Sequence, residues 1–150
     1  MKKLATGISL FTLCLIFAFA GESFAASPTN FTGHWTGSGT TKKFTCDKTQ
    51  VGQPASADLT ITQEGRNVTL NLNFGYTTYT GKVSGKTFKA TNKEGEAGIW
   101  GGKTTIIGKI NADGTLHLTH SSSSYDIKNG KKKNPCSEQW EYDNLAKQAQ

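Results

Sequence analysis

Arginine is almost missing from this chain: Arg66 is the only one, although 17 of the 150 residues are lysine or arginine. Guanidinium forks are the usual means of reading phosphates and bases. The formal charge of +6 therefore does not by itself point to nucleic acid, and none is expected as a partner. It suits equally a protein surrounded by anionic cell-envelope polymers. Catalytic signatures are missing too. There is no nucleophile elbow, no H-E-x-x-H helix, no phosphate loop and no paired-cysteine zinc pattern. His117 and His120 are three apart, which puts them on opposite faces of a regular strand and argues against a shared metal. No enzyme activity, cofactor or metal is expected. Only three prolines interrupt the chain, and beyond residue 25 no apolar run approaches the length of a membrane-spanning helix.

One apolar run does occur, at the start. Lys2 and Lys3 precede the stretch Ile8 to Ala20, Gly21-Glu22 breaks it, and Ser23-Phe24-Ala25 puts small residues at the cleavage-determining positions. This is the pattern of a secretory signal peptide over residues 1–25, bacterial in style, leaving a single domain over residues 26–150. The expected location is periplasmic or secreted. Cleavage would remove Lys2, Lys3 and Glu22 and take the charge from +6 to +5. It would also remove Cys14.

Two cysteines then remain, Cys46 and Cys136. In an exported protein an isolated pair is most often one disulfide, and that is the expectation here. A redox pair would normally sit close in sequence, and a zinc site would need further ligands. Closing a loop of this length is worth at most about 4–5 kcal/mol by chain-entropy arguments.

Helical periodicity is also absent from Ala26 to Glu138. The apolar residues alternate instead: Leu59 and Ile61; Val68, Leu70, Leu72 and Phe74; Phe88 and Ala90; Ile106, Gly108 and Ile110; Leu116 and Leu118. Period two with threonine and asparagine between predicts strands with one face inward and one in water. Turns are expected at Gly65-Arg66, Ser84–Lys86, Lys93–Glu96, Asn111–Gly114 and Asn129-Gly130, the last being the strongest hairpin signal. The fold expected is all-β: an antiparallel up-and-down meander of about eight strands closed into a barrel, which removes exposed edges. An open sandwich is the alternative. Asp47 to Ser56 reads as the longest irregular stretch, Ser121–Ser124 as a bulge, and Tyr142 to Gln150 as a short helix or a frayed tail.

Gly33-His34-Trp35, early in the mature chain, resembles the G-x-W element on the first strand of lipocalin-like (calycin-type) barrels. That resemblance implies an eight-stranded barrel whose closed end is plugged by the tryptophan, here Trp35, with a small apolar ligand held towards the other end. Phe44-Thr45-Cys46-Asp47 and Ser84–Phe88 bear a fainter likeness to small-barrel periplasmic lysozyme inhibitors, implying instead a protein-binding module acting through its loops.

The candidate ligand-binding residues are Trp35 as floor, Phe74 and Trp100 as lining, and His120. Trp100 stands in Gly98-Ile99-Trp100-Gly101-Gly102, where glycines leave room beside the indole. His120 shares a phase with Leu116 and Leu118 and is expected to point inward, whereas His34 and His117 fall on polar phases. Glu138 is a conceivable acid–base partner for His120, but a structural histidine is the more ordinary reading. Lys128–Lys133 forms a basic hairpin tip, a possible contact for an anionic polymer, although solvated charge is the ordinary state of such a turn. The function expected is non-catalytic binding of a small, mainly apolar ligand. An unidentified envelope protein is the other candidate partner.

Overall fold

Alternating apolar and polar residues do place one face of every strand inward. The computed structural model describes residues 28–73 and 77–149. The expected leader and Phe74 lie outside them. Eight strands follow in order: β1 (Gly33–Phe44), β2 (Pro54–Glu64), β3 (Asn67–Leu72), β4 (Thr78–Ser84), β5 (Thr87–Glu96), β6 (Trp100–Ile110), β7 (Leu116–Lys128) and β8 (Lys131–Lys147). Each pairs antiparallel with the next, and β8 returns to β1, so the meander closes into a barrel with no free edge.

Hydrophobic burial is concentrated in the half of the barrel where β1 begins and β8 ends, here called the lower half. Trp35, Leu59, Ile61, Val68, Leu70, Val83, Phe88, Ala90, Ile106, Leu116, Leu118, Tyr142 and Leu145 are all buried there. Phe31, just before β1, closes the bottom. Its ring meets Phe88 of β5 edge-on at 5.0 Å, and β5 stands across the ring of strands from β1. Three hydrogen bonds hold this plug. The Trp35 indole Nε1 donates to the Phe31 carbonyl at 2.9 Å, the Phe31 amide donates to Gln63 Oε1 at 2.9 Å, and the Gln63 amide donates to Thr32 Oγ1 at 3.1 Å.

The upper end is uneven. β3 and β4 have only 6 and 7 residues, whereas β6, β7 and β8 have 11, 13 and 17. The wall from β6 to β8 therefore rises above the opposite side, and its inner face looks across the mouth. Cys46, just past β1, forms a disulfide with Cys136 of β8, their Cα atoms 5.4 Å apart. Beside it the Thr45 amide donates to the Ser137 carbonyl, and the Ser137 amide donates to Thr45 Oγ1. Among the described residues no helix is long and apolar enough to cross a membrane.

Four local expectations need correction. The turn read at Lys93–Glu96 is strand: β5 continues to Glu96, opposite Trp100. Gly95 serves a close cross-strand approach there, since a Cβ would lie 2.7 Å from the Trp100 carbonyl, and the chain reverses one step later around Gly98, at φ +80°. The tail is no helix, because β8 runs to Lys147 to pair with Trp35 and close the barrel. Asp47–Ser56 is shorter as a loop than expected. Lys48–Gln50 form a 3-10 turn capped by the Asp47 carboxylate, and β2 already begins at Pro54, opposite Thr40. Ser121–Ser124 keep unbroken register with β6, and the break falls between Ser124 and Asp126, on the β8 side. The other predicted turns stand where expected, including Asn129-Gly130, both at positive φ.

Candidate functional site

Counting upward by twos from the buried core finds the side chains facing the open half. On β6 the step from Ile106 leads to Thr104, Gly102 and Trp100; on β7, from Leu118 to His120, Ser122 and Ser124; on β8, from Tyr142 to Trp140 and Glu138; on β5, from Ala90 to Asn92 and Glu94. The register agrees, since His120 stands opposite Ile106 on one side and Trp140 on the other.

His120 marks the level at which the interior turns polar. It is 5% exposed and lies stacked on the half-buried Trp140, ring centroids 4.8 Å apart. The Trp140 indole Nε1 donates to the hydroxyl of buried Thr41 at 2.8 Å. His120 Nδ1 is buried without any hydrogen-bond partner. Burial pushes its pKa down to about 4, so the imidazole is neutral at pH 7. Higher up, burial raises the pKa of Glu138, with Ser122 opposite it pulling the other way. Tyr79 is held above its usual value first by burial and then by Glu94 and Glu138; Tyr142 likewise by burial and then Glu138. Glu138 therefore stands near enough to be felt by both phenols, and Glu94 by that of Tyr79. The Thr77 hydroxyl donates to Glu94 Oε1 at 3.0 Å.

At the rim of the tall wall lies a cavity of about 180 Å³ bordered by Glu94, Trp100, Gly102, Thr104, Ser122 and Ser124, with Lys103 and Ser123 also reaching it from positions that alternate to the outer face. Trp100 is 38% exposed. Its ring leans along Gly102, with Cζ3 3.6 Å from where a Cβ would stand. One aromatic plate therefore shares an open space with hydroxyls, a carboxylate and the Lys103 side chain.

The three candidate residues that are described do not form one cluster. Trp35, 2% exposed, belongs to the closed end. Trp100 stands at the opposite rim, and His120 lies between them, six β6 residues below Trp100. Phase alone could not reveal that His120 and Glu138 share no hydrogen bond: their cross-strand partners are Trp140 and Ser122. His34 and His117 are partly exposed and bonded to Asp58 at 2.8 Å and Asp143 at 2.6 Å. Residues the sequence reading did not select are Glu94, Thr104, Ser122 and Ser124. Their signal was available in parity, by extending the Ile106 and Leu118 phases upward past the last apolar residue. Among the described residues no group of three His, Cys, Asp or Glu side chains could hold a metal. No protein-family model, curated protein or solved structure matches this chain.

Proposed function

We propose that this protein is an exported, non-catalytic binding barrel of lipocalin-like architecture that holds a small ligand at its open end. The observation that carries this reading is the rim cavity beside Trp100, open above an interior whose lower half is sealed. Drug-sized ligands usually fill roughly 300–1,000 Å³. A cavity of about 180 Å³ instead takes a single ring, or the head of a longer molecule. Its lining selects a ligand with one apolar face, to stack on Trp100, and a hydrogen-bonding edge for Thr104, Ser122 and Ser124. That is a more polar ligand than the alternation of apolar residues alone favours. Trp35 acts in this reading as the floor plug and His120 as the boundary of the wet half.

The test is a set of ¹H–¹⁵N spectra of the mature protein with a panel of small amphiphiles: fatty acids, phenols, aromatic amines and amino sugars. The three indole N–H signals are separate reporters. Binding at the mouth moves the Trp100 signal and leaves the sealed Trp35 signal in place. A ligand that moves Trp35 and not Trp100 contradicts the proposal.

One observation favours a second reading, a protein-binding module acting through its loops. Ile99 and Val51 are about half exposed, at 54% and 48%, and both lie in connections at the upper end. A partner covering those two tips would bury them together. Binding lost on Ile99→Ser with Val51→Ser, but kept on Trp100→Ala, would favour it.

A further inference from the structure

The outer face of the tall wall carries a second site. Residues directly opposed in a sheet share a face, and the register lines up Lys103 with Ser123 and Ser123 with Ser137, then Thr105 with Ser121, Ser121 with Gln139 and Gln139 with Lys43. This face is the outer one, since it continues to Ile107, 43% exposed, while Ile106 is fully buried. Serines thus occupy the two middle strands and lysines the two flanking ones. Three strand spacings, about 14 Å in all, separate β6 from β1. Small side chains between long ones leave a trough, and a cavity of about 270 Å³ lies there. Ser122 and Glu138 also border it, from positions that alternate to the inner face.

Its two lysines outnumber the one carboxylate that borders it, Glu138. Lys42 pairs with Glu141 at 3.8 Å, but among the described residues neither Lys43 nor Lys103 has an ion-pair partner. Just above, Tyr125 packs over Gly101, whose Cβ would lie 2.7 Å from the phenol oxygen. Lys132 stands 4.1 Å from the centre of the Tyr125 ring. From top to bottom the strip offers an aromatic plate with a cation, then two free ammonium groups over a floor of hydroxyls.

We propose that this trough binds an anionic saccharide chain, its carboxylate or sulfate groups held by Lys43 and Lys103, its hydroxyls by Ser121, Ser123 and Ser137, and one ring resting near Tyr125. A polyanion without hydroxyls would leave the serine floor unused. A neutral glycan would leave both lysines unused. Lys103, Ser122 and Ser123 border the rim cavity as well, but the trough is reached from the outer face, and the Lys128–Lys133 hairpin extends the strip rather than forming the site itself.

The test is calorimetric titration of the mature protein with three defined chains: an alginate hexasaccharide (carboxylate), a heparin-derived hexasaccharide (sulfate) and neutral chitohexaose. At least one acidic chain should bind, roughly tenfold more weakly at about 300 mM salt than at about 20 mM, and chitohexaose should not bind. Which acidic chain wins identifies the anion. Lys43→Gln with Lys103→Gln, or Ser123→Glu alone, should each weaken binding at least tenfold, while Lys86→Gln, in the hairpin at the opposite end of the barrel, leaves it unchanged. These are surface positions, and an unchanged melting curve confirms the fold. Three results overturn the proposal: equal binding of chitohexaose, equal binding of a single-stranded oligonucleotide of matching charge, or loss on Lys131→Gln/Lys132→Gln/Lys133→Gln with no loss on Lys43→Gln/Lys103→Gln.

Discussion

At the scale of single residues, His120 makes the sharpest claim on the protein's chemistry. Its folded pKa of about 4 lies below the ordinary 6.5, so the fold accepts only the neutral ring. Above about pH 6.5 the ring is neutral whether the chain is folded or not, and its contribution is fully retained. As pH falls from there towards 4, the unfolded chain takes the proton first and stability is lost, on the order of 3 kcal/mol in all. Glu138 works in the opposite sense. Its raised pKa means the folded state takes the proton first, so this group favours the fold as pH falls. His120→Phe, which keeps an aromatic ring against Trp140, should flatten the pH dependence between 6.5 and 4. Urea denaturation of both proteins across that range checks it, and parallel curves would show that His120 finds a partner for its proton. Trp100→Ala, by contrast, removes a rim side chain that is 38% exposed, and should cost less, about 1 kcal/mol.

Glycines decide much at the scale of the strands. On β4 a Cβ at Gly81 would run into the Lys89 carbonyl of β5, so Gly81→Ala should cost about 1–3 kcal/mol through forced separation of the two strands. At Gly102 the nearest atoms are 3.3 and 3.6 Å away, and the second belongs to Trp100. Gly102→Ala should therefore melt near the parent protein but crowd the rim cavity and weaken ligand binding. Thermal melts with parallel titrations separate the two effects, and equal destabilisation would contradict this account. The same elements explain what could be read from sequence. Strands bearing Leu59 and Ile61, or Val68 and Leu70, declare themselves because alternation is visible wherever the inner face is apolar. Towards the rim the inner residues become Thr104, Ser122, Ser124 and Glu94, and the inside no longer differs from the outside in polarity. Glu94-Gly95-Glu96 consequently reads as a turn although it is paired strand. Trp100 stands out as a large apolar residue among glycines, whereas its hydroxyl neighbours do not. The trough across four strands was hidden for another reason: Lys43 and Lys103 come to flank one face only once the barrel closes.

Two features hold the whole molecule in one shape. Strand closure between β8 and β1 removes every edge, and the disulfide fastens the upper end of that seam. Cys46 and Cys136 are 90 residues apart, so Cys46→Ser with Cys136→Ser should lower stability by up to about 4–5 kcal/mol. Denaturation with and without reductant measures this, and no difference would mean that the seam's hydrogen bonds suffice alone. The larger division is between a sealed lower half, filled by Trp35, Phe31 and their neighbours, and an open upper half lined by polar and aromatic groups. The ligand proposal depends on that division. It is tested most directly by native mass spectrometry of the protein isolated from the cells that make it, for the parent chain and Trp100→Ala, before and after denaturation. The account predicts a small non-covalent adduct on the parent chain that is released on unfolding and is diminished in the variant. An adduct retained equally by both chains, or a parent chain that carries none and binds nothing in the amphiphile panel, would contradict it.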